Sequence, residues 1–190
     1  KIVFMMFRWD DPDTGEPRSI GFPWDFPESD LANCVDDLTP YVLNALYAST
    51  LAGHNITFDA KFVAATLKGC DINRLAPNCK YDTWHMAYTS KSSRGRYGLE
   101  RITYDYAPHL AGYEEDMTLL IELHSDLLSP EEGGHYAKCP KDKWETHLKP
   151  YVMGDVETVH CARQEIAAKL ATRKTYGIPI ADPNDHGRFR

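Results

Sequence analysis

The chain has 190 residues, of which 43% are hydrophobic and 26% charged, and its formal net charge is −7. That length suits one domain with a single sizeable core, and no apolar run reaches the roughly 20 residues needed to span a bilayer. The acidic balance excludes a protein that coats a nucleic-acid duplex by charge alone. It leaves room for a metal-dependent nuclease, whose site concentrates carboxylates.

The opening "KIVFMMFRW", Lys1–Trp9, is apolar and aromatic and predicts a strand. Because the strand pattern starts at once, with no signal peptide ahead of it, the chain is expected to begin inside a domain. "DDPDTGEP" follows with Asp, Pro and Gly in turn positions, and "RSIGFPWDF" reads as a second strand. The two predict an antiparallel hairpin.

From Asp30 to Ser49 the residues Leu31, Val35, Leu38, Val42 and Leu46 recur at helical spacing, with Pro40 as an expected break or kink. "TLAGHN" is a short strand, and Asn55 is placed to cap the helix behind it. In that helix Phe58, Phe62, Ala65 and Thr66 share a face, so the two phenylalanines are expected in the core, and Gly69 marks the stop. "KYDTWHMAY" is a mixed apolar segment of either type. "TSKSSRGR" is polar and basic and reads as a loop.

"YGLERITYDYAPHL" and "DMTLLIELHSDLL" predict short helices, and residues 129–150, rich in Pro and Gly, an irregular stretch. A long helix is expected from Pro150 or Tyr151 towards Arg173, with Val152, Val156, Val159, Ile166 and Leu170 as its buried stripe. The order strand, strand, helix, strand, helix, then helices predicts an α/β domain with a mixed parallel and antiparallel sheet.

The five cysteines (Cys34, Cys70, Cys79, Cys139, Cys161) are scattered and form no CxxC pair, as expected of reduced thiols in a cytoplasmic protein. His135 and Cys139 have a spacing that could clip a metal on a helix, but no second pair completes four ligands, so zinc is not expected.

Chemistry is suggested by two aspartates. Tyr151 and Asp155 are four residues apart, hence on one helical face, and Asp59 lies in the first turn behind Asn55. Alone, each aspartate is explained by compensation of a helix dipole. Together, "GHNITFD" and "YVMGD" followed by "VETVHCARQEI" resemble the second and third motifs of the 3′→5′ proofreading exonucleases with four acidic metal ligands, the third in its tyrosine-containing form. "YDTWHMAY", the basic loop and "YGLERITYDYAP" between them resemble the same region of family A DNA polymerases. "HYAKCP" is similar to bacteriophage members.

The resemblance implies an RNase H-like α/β fold, a mixed sheet flanked by helices, and two Mg²⁺ or Mn²⁺ ions about 4 Å apart that clamp the attacking and leaving oxygens. Such hard ions take carboxylate and water oxygens. It assigns Asp155 as a direct ligand, Asp59 as a ligand of the second ion through water, and Tyr151 as the orienter of the attacking water. Asn55, with Arg94 and Arg96 and their neighbour Lys91, would contact a single DNA strand at its 3′ end; a solvated basic loop is the alternative for the cations. His54 is expected to be structural, and Asp82 to position the strand end.

The family's first motif, Asp-x-Glu on the first strand, is missing. Its place falls upstream of Lys1, and Asp10, Asp11 and Asp13, in a turn, do not replace it. The resemblance therefore implies a partial exonuclease domain over 1–176, inactive by itself, and an exit linker over 177–190 leading to a polymerase domain of the parent chain. The expected setting is the cytoplasm, that of the host if phage-encoded. An RNA 3′-end trimming enzyme and a catalytically silent exonuclease fold are the alternatives.

Overall fold

A computed structural model describes residues 4–24, 34–91, 97–115, 118–119 and 144–172. The hairpin forms as its apolar first strand and its turn residues predict. Strands β1 (Phe4–Asp10) and β2 (Pro17–Pro23) pair antiparallel, from Phe4 opposite Pro23 to Asp10 opposite Pro17. Between them Asp11 Oδ1 accepts from the amides of Asp13 and Thr14, and Gly15 takes the left-handed conformation (φ 72°) that closes the turn.

Helix α1 (Val35–Ala48) runs through Pro40 without a break. The expected break is absent, and since Pro40 and Asp36 both face solvent the carbonyl deprived of its N–H partner can be hydrated. The Thr39 hydroxyl also donates to the Val35 carbonyl at 2.7 Å. After α1 come β3 (Leu51–Gly53), α2 (Ile56–Thr66) and the short α3 (Ile72–Leu75).

"KYDTWHMAY" resolves into both candidates. Strand β4 (Cys79–Asp82) pairs parallel with β3, and α4 (Thr83–Lys91) follows at once. Helix α5 (Leu99–Tyr106) and the long α6 (Lys149–Thr172) complete the described chain, α6 being preceded by a π-helical turn at Trp144–Leu148. The predictions for 120–143 and 173–190, including His135, Cys139 and the linker, lie outside the described residues, as do Arg94 and Arg96.

The fold is thus mixed α/β, with one antiparallel and one parallel strand pair. Among the described residues no helix is long and apolar enough to cross a membrane. One core joins α4, α5 and α6 through Ala87, Ile102, Tyr106, Ala162 and Ile166. A second lies under the hairpin, where Met5 and Trp24 meet Leu43 and Leu67. The expected Ile166 is buried in α6 and Leu170 packs on the same core, but Thr158 and Ala162 take the place of the valines. Val156 and Val159 turn instead towards a gap in the sheet.

That gap is the main departure from an uninterrupted sheet. Among the described residues β1 pairs only with β2 and β3 only with β4. Helix α6 packs against both β1 and β3. Two adjoining cavities of about 550 and 970 Å³ separate the pairs, each walled by Met6 and Phe7 of β1 and by Leu51 and Ala52 of β3.

Candidate functional site

The smaller cavity holds both aspartates singled out in the sequence. Asp59 enters it from the first turn of α2, and Asp155 from the second turn of α6, beside Val156 and Val159. Protein packed round each carboxyl raises its pKa to about 6. Burial is the main cause at both. Asp59 is nonetheless exposed as a residue, whereas Asp155 is half-buried. At Asp155 the Tyr113 hydrogen bond opposes the rise, while the charge of Glu114 and then that of Asp59 add to it; at Asp59 the charge of Asp82 adds to it. Like-charged groups that disfavour each other's ionisation are a hallmark of acid–base and cation-binding sites.

Asn55 sits at the N-terminus of α2, but its side chain makes no capping bond. It adopts the left-handed conformation (φ 55°, ψ 45°), which asparagine tolerates better than other side chains do. Its amide donates to Asp82 Oδ1 at 2.9 Å, and its carbonyl accepts from the Phe58 amide. Asn55 is thus a backbone hinge between β3 and α2, and the expected side-chain cap is corrected.

Asp82 ties the two helix starts together, because the same Oδ1 accepts from the Trp84 amide at 2.9 Å. Its Oδ2 is buried without a well-aligned hydrogen bond but lies 2.9 Å from His85 Nδ1. These contacts make Asp82 a brace of the fold at the start of α2 and α4. His54 is held by Thr83, with Nδ1 and Oγ1 3.0 Å apart, and burial pushes its pKa down, favouring the neutral ring. It is a structural histidine.

Phe58 and Phe62 are not in the core. They are 61% and 39% exposed, stack on each other at 5.6 Å, and line the cavity with Asp59. The core face of α2 is carried by Ile56 and Ala60 instead. Helical spacing grouped the phenylalanines correctly on one face, but that face looks into the gap. Asp10, Asp11 and Asp13 stay at the hairpin end, Asp10 paired with Arg8 at 2.9 Å and Asp11 closing the turn.

One site residue was not visible in the sequence. The Tyr113 hydroxyl donates to Asp155 Oδ1 at 2.5 Å. Its ring lies against Gly154, where a Cβ would come within 2.1 Å of Tyr113 Cδ2. Glycine inside a helix costs about 1 kcal/mol relative to alanine, and "YVMGD" carries one next to the aspartate. That was the available signal. Tyr151 lies on the same side, its ring 6.1 Å from that of Tyr113.

The raised carboxyl values set a pH dependence. Each group binds its proton more tightly in the folded than in the unfolded state. Between the ordinary value of 3.8 and about 6 the fold therefore holds more protons, so stability falls as pH rises through that window and stays lower above it. Asp155→Asn removes the charge and keeps an oxygen for Tyr113. Scanning calorimetry of the metal-free protein should show a higher midpoint for this variant near pH 8, and almost no change near pH 4. An equal shift at both values would contradict the electrostatic reading.

Comparison with known proteins returns no matching family model, no matching curated protein and no matching solved structure.

Proposed function

We propose that the chain is the body of a metal-dependent 3′→5′ exonuclease of RNase H-like fold, acting on the end of single-stranded DNA as the proofreading part of a family A DNA polymerase. The observation that carries the reading is the convergence of Asp59 and Asp155, distant in sequence, on one cavity where each is crowded enough to raise its pKa to about 6. The motif resemblance selected the same two residues independently of any geometry.

The donor set fits Mg²⁺ or Mn²⁺ in kind: both groups are hard carboxylate oxygens, and a divalent ion would relieve the crowding that disfavours their charge. It falls short in number, since among the described residues no group of three or more ligating side chains is assembled. Asp59 and Asp155 would hold the ions together with water, substrate phosphate and two carboxylates of an Asp-x-Glu strand seated between β1 and β3. Bound there, the ions would supply Lewis acidity to the attacking water and the departing oxygen.

In the reaction, water attacks the phosphorus of the terminal phosphodiester. The bond from phosphorus to the 3′ oxygen of the preceding nucleotide breaks, that oxygen is protonated, and a nucleoside 5′-monophosphate leaves. Tyr151 orients the water through its hydroxyl. Asn55 fixes the start of α2, and the exposed phenylalanines give the terminal base an apolar neighbour.

The ligand assignment is tested without turnover. Mn²⁺ titrated into the protein and followed by electron paramagnetic resonance should be bound and displaced by Mg²⁺, and an Asp59→Ala, Asp155→Ala double variant should lose that uptake. Equal uptake by the double variant would refute the assignment.

A further inference from the structure

The third-motif aspartate is held by a residue from another part of the chain. Tyr113 belongs to the turn behind α5, and its hydroxyl reaches Asp155 Oδ1 at 2.5 Å, in the short range of bonds to a charged acceptor. The ring can lie there only because residue 154 has no side chain: a Cβ would come within 2.1 Å of Cδ2 and 2.5 Å of Cγ. Glycine is otherwise unfavourable inside a helix. Gly154 and Tyr113 thus form a matched pair, the bare backbone of α6 serving as the seat for the ring. Tyr151, one turn before Asp155, packs its ring 6.1 Å from Tyr113 at an angle of 42°.

We propose that Tyr113 is a positioning residue for Asp155: seated on Gly154, it fixes Oδ1 and so restricts the carboxylate to presenting Oδ2 to a cation. The inference rests on the reading of Asp155 as a metal ligand. It divides the labour of two tyrosines, Tyr113 orienting the ligand and Tyr151 the water. Partners that orient a ligating side chain typically change metal affinity by about 10- to 100-fold when removed.

Two variants separate this role from simple packing. Tyr113→Phe keeps the ring and removes the hydroxyl. Gly154→Ala keeps the hydroxyl and evicts the ring. Three-bond couplings to the Asp155 carboxyl carbon report its side-chain rotamer, and Mn²⁺ titration reports affinity. The wild-type protein should show one rotamer. Tyr113→Phe should show averaged couplings and bind Mn²⁺ about tenfold more weakly. Gly154→Ala should match it, with the double variant no worse than either single one. A lowered melting temperature with unchanged couplings and unchanged Mn²⁺ affinity in Tyr113→Phe would overturn the proposal, and this variant suffices if Gly154→Ala does not fold. Wild-type protein that binds no Mn²⁺, yet shows couplings that average in Tyr113→Phe, would leave Tyr113 as the positioner and refute the metal reading alone.

Discussion

Asp155→Ala should lower hydrolysis by several orders of magnitude in a form of the protein extended ahead of Lys1 by an apolar strand bearing Asp-x-Glu. Among the described residues the carboxylate is one of two that line the cavity, and on the proposed reading its removal takes away a ligand of the ion that activates water. Asp59→Ala should be comparably severe, since the remaining carboxylate cannot hold two ions. Tyr151→Phe removes one orienting hydroxyl and no charge, so a loss of about 10- to 100-fold is expected. Single-turnover rates on a 5′-labelled oligonucleotide at saturating Mg²⁺ rank the three. A Tyr151→Phe defect as deep as that of Asp155→Ala would reverse the assigned roles.

The second large effect is on stability. Among the described residues β1 and β3 each have an unpaired edge towards the gap, and their apolar residues Met6, Phe7, Leu51 and Ala52 wall both cavities. Main-chain groups there that find no partner cost about 1–3 kcal/mol each when kept from water, against a whole-domain stability of about 5–15 kcal/mol. An apolar strand paired to both edges should therefore add several kcal/mol. For a domain of this size that is a rise of about 10 °C or more in the melting midpoint, with a sharper transition. Circular dichroism of the 190-residue chain with and without an upstream strand measures it. A midpoint unchanged by the extension would place the strand elsewhere. Self-association of the shorter chain through its open edges is the accompanying expectation.

What the sequence made legible was whatever depended on local pattern. An apolar run and turn residues placed the hairpin, and the 3.6-residue period placed α1 and α6. What escaped depended on neighbours. The phenylalanines of α2 share the face that periodicity gave them, but only the packing shows that this face borders a gap. Asn55 occupies the capping position with a backbone conformation in which its side chain does not cap. Pro40 stays within α1, in a solvated turn. The valine row of α6 looked like the core stripe, yet Thr158 and Ala162 carry it, since α4 and α5 pack on that side. At the site, Asp59 and Asp155 were readable as a pair of motifs. Tyr113 was not, because a bond across 42 residues leaves no periodic trace.

The central claim, that Asp59 and Asp155 are two ligands of a phosphodiesterase site, is tested most directly by a 5′-labelled single-stranded DNA oligonucleotide incubated with the strand-carrying protein. A ladder shortening from the 3′ end with Mg²⁺ or Mn²⁺, halted by a chelator and absent in Asp155→Ala, is the predicted result. An oligonucleotide that stays full length with either metal, under conditions where the protein is folded, would contradict it.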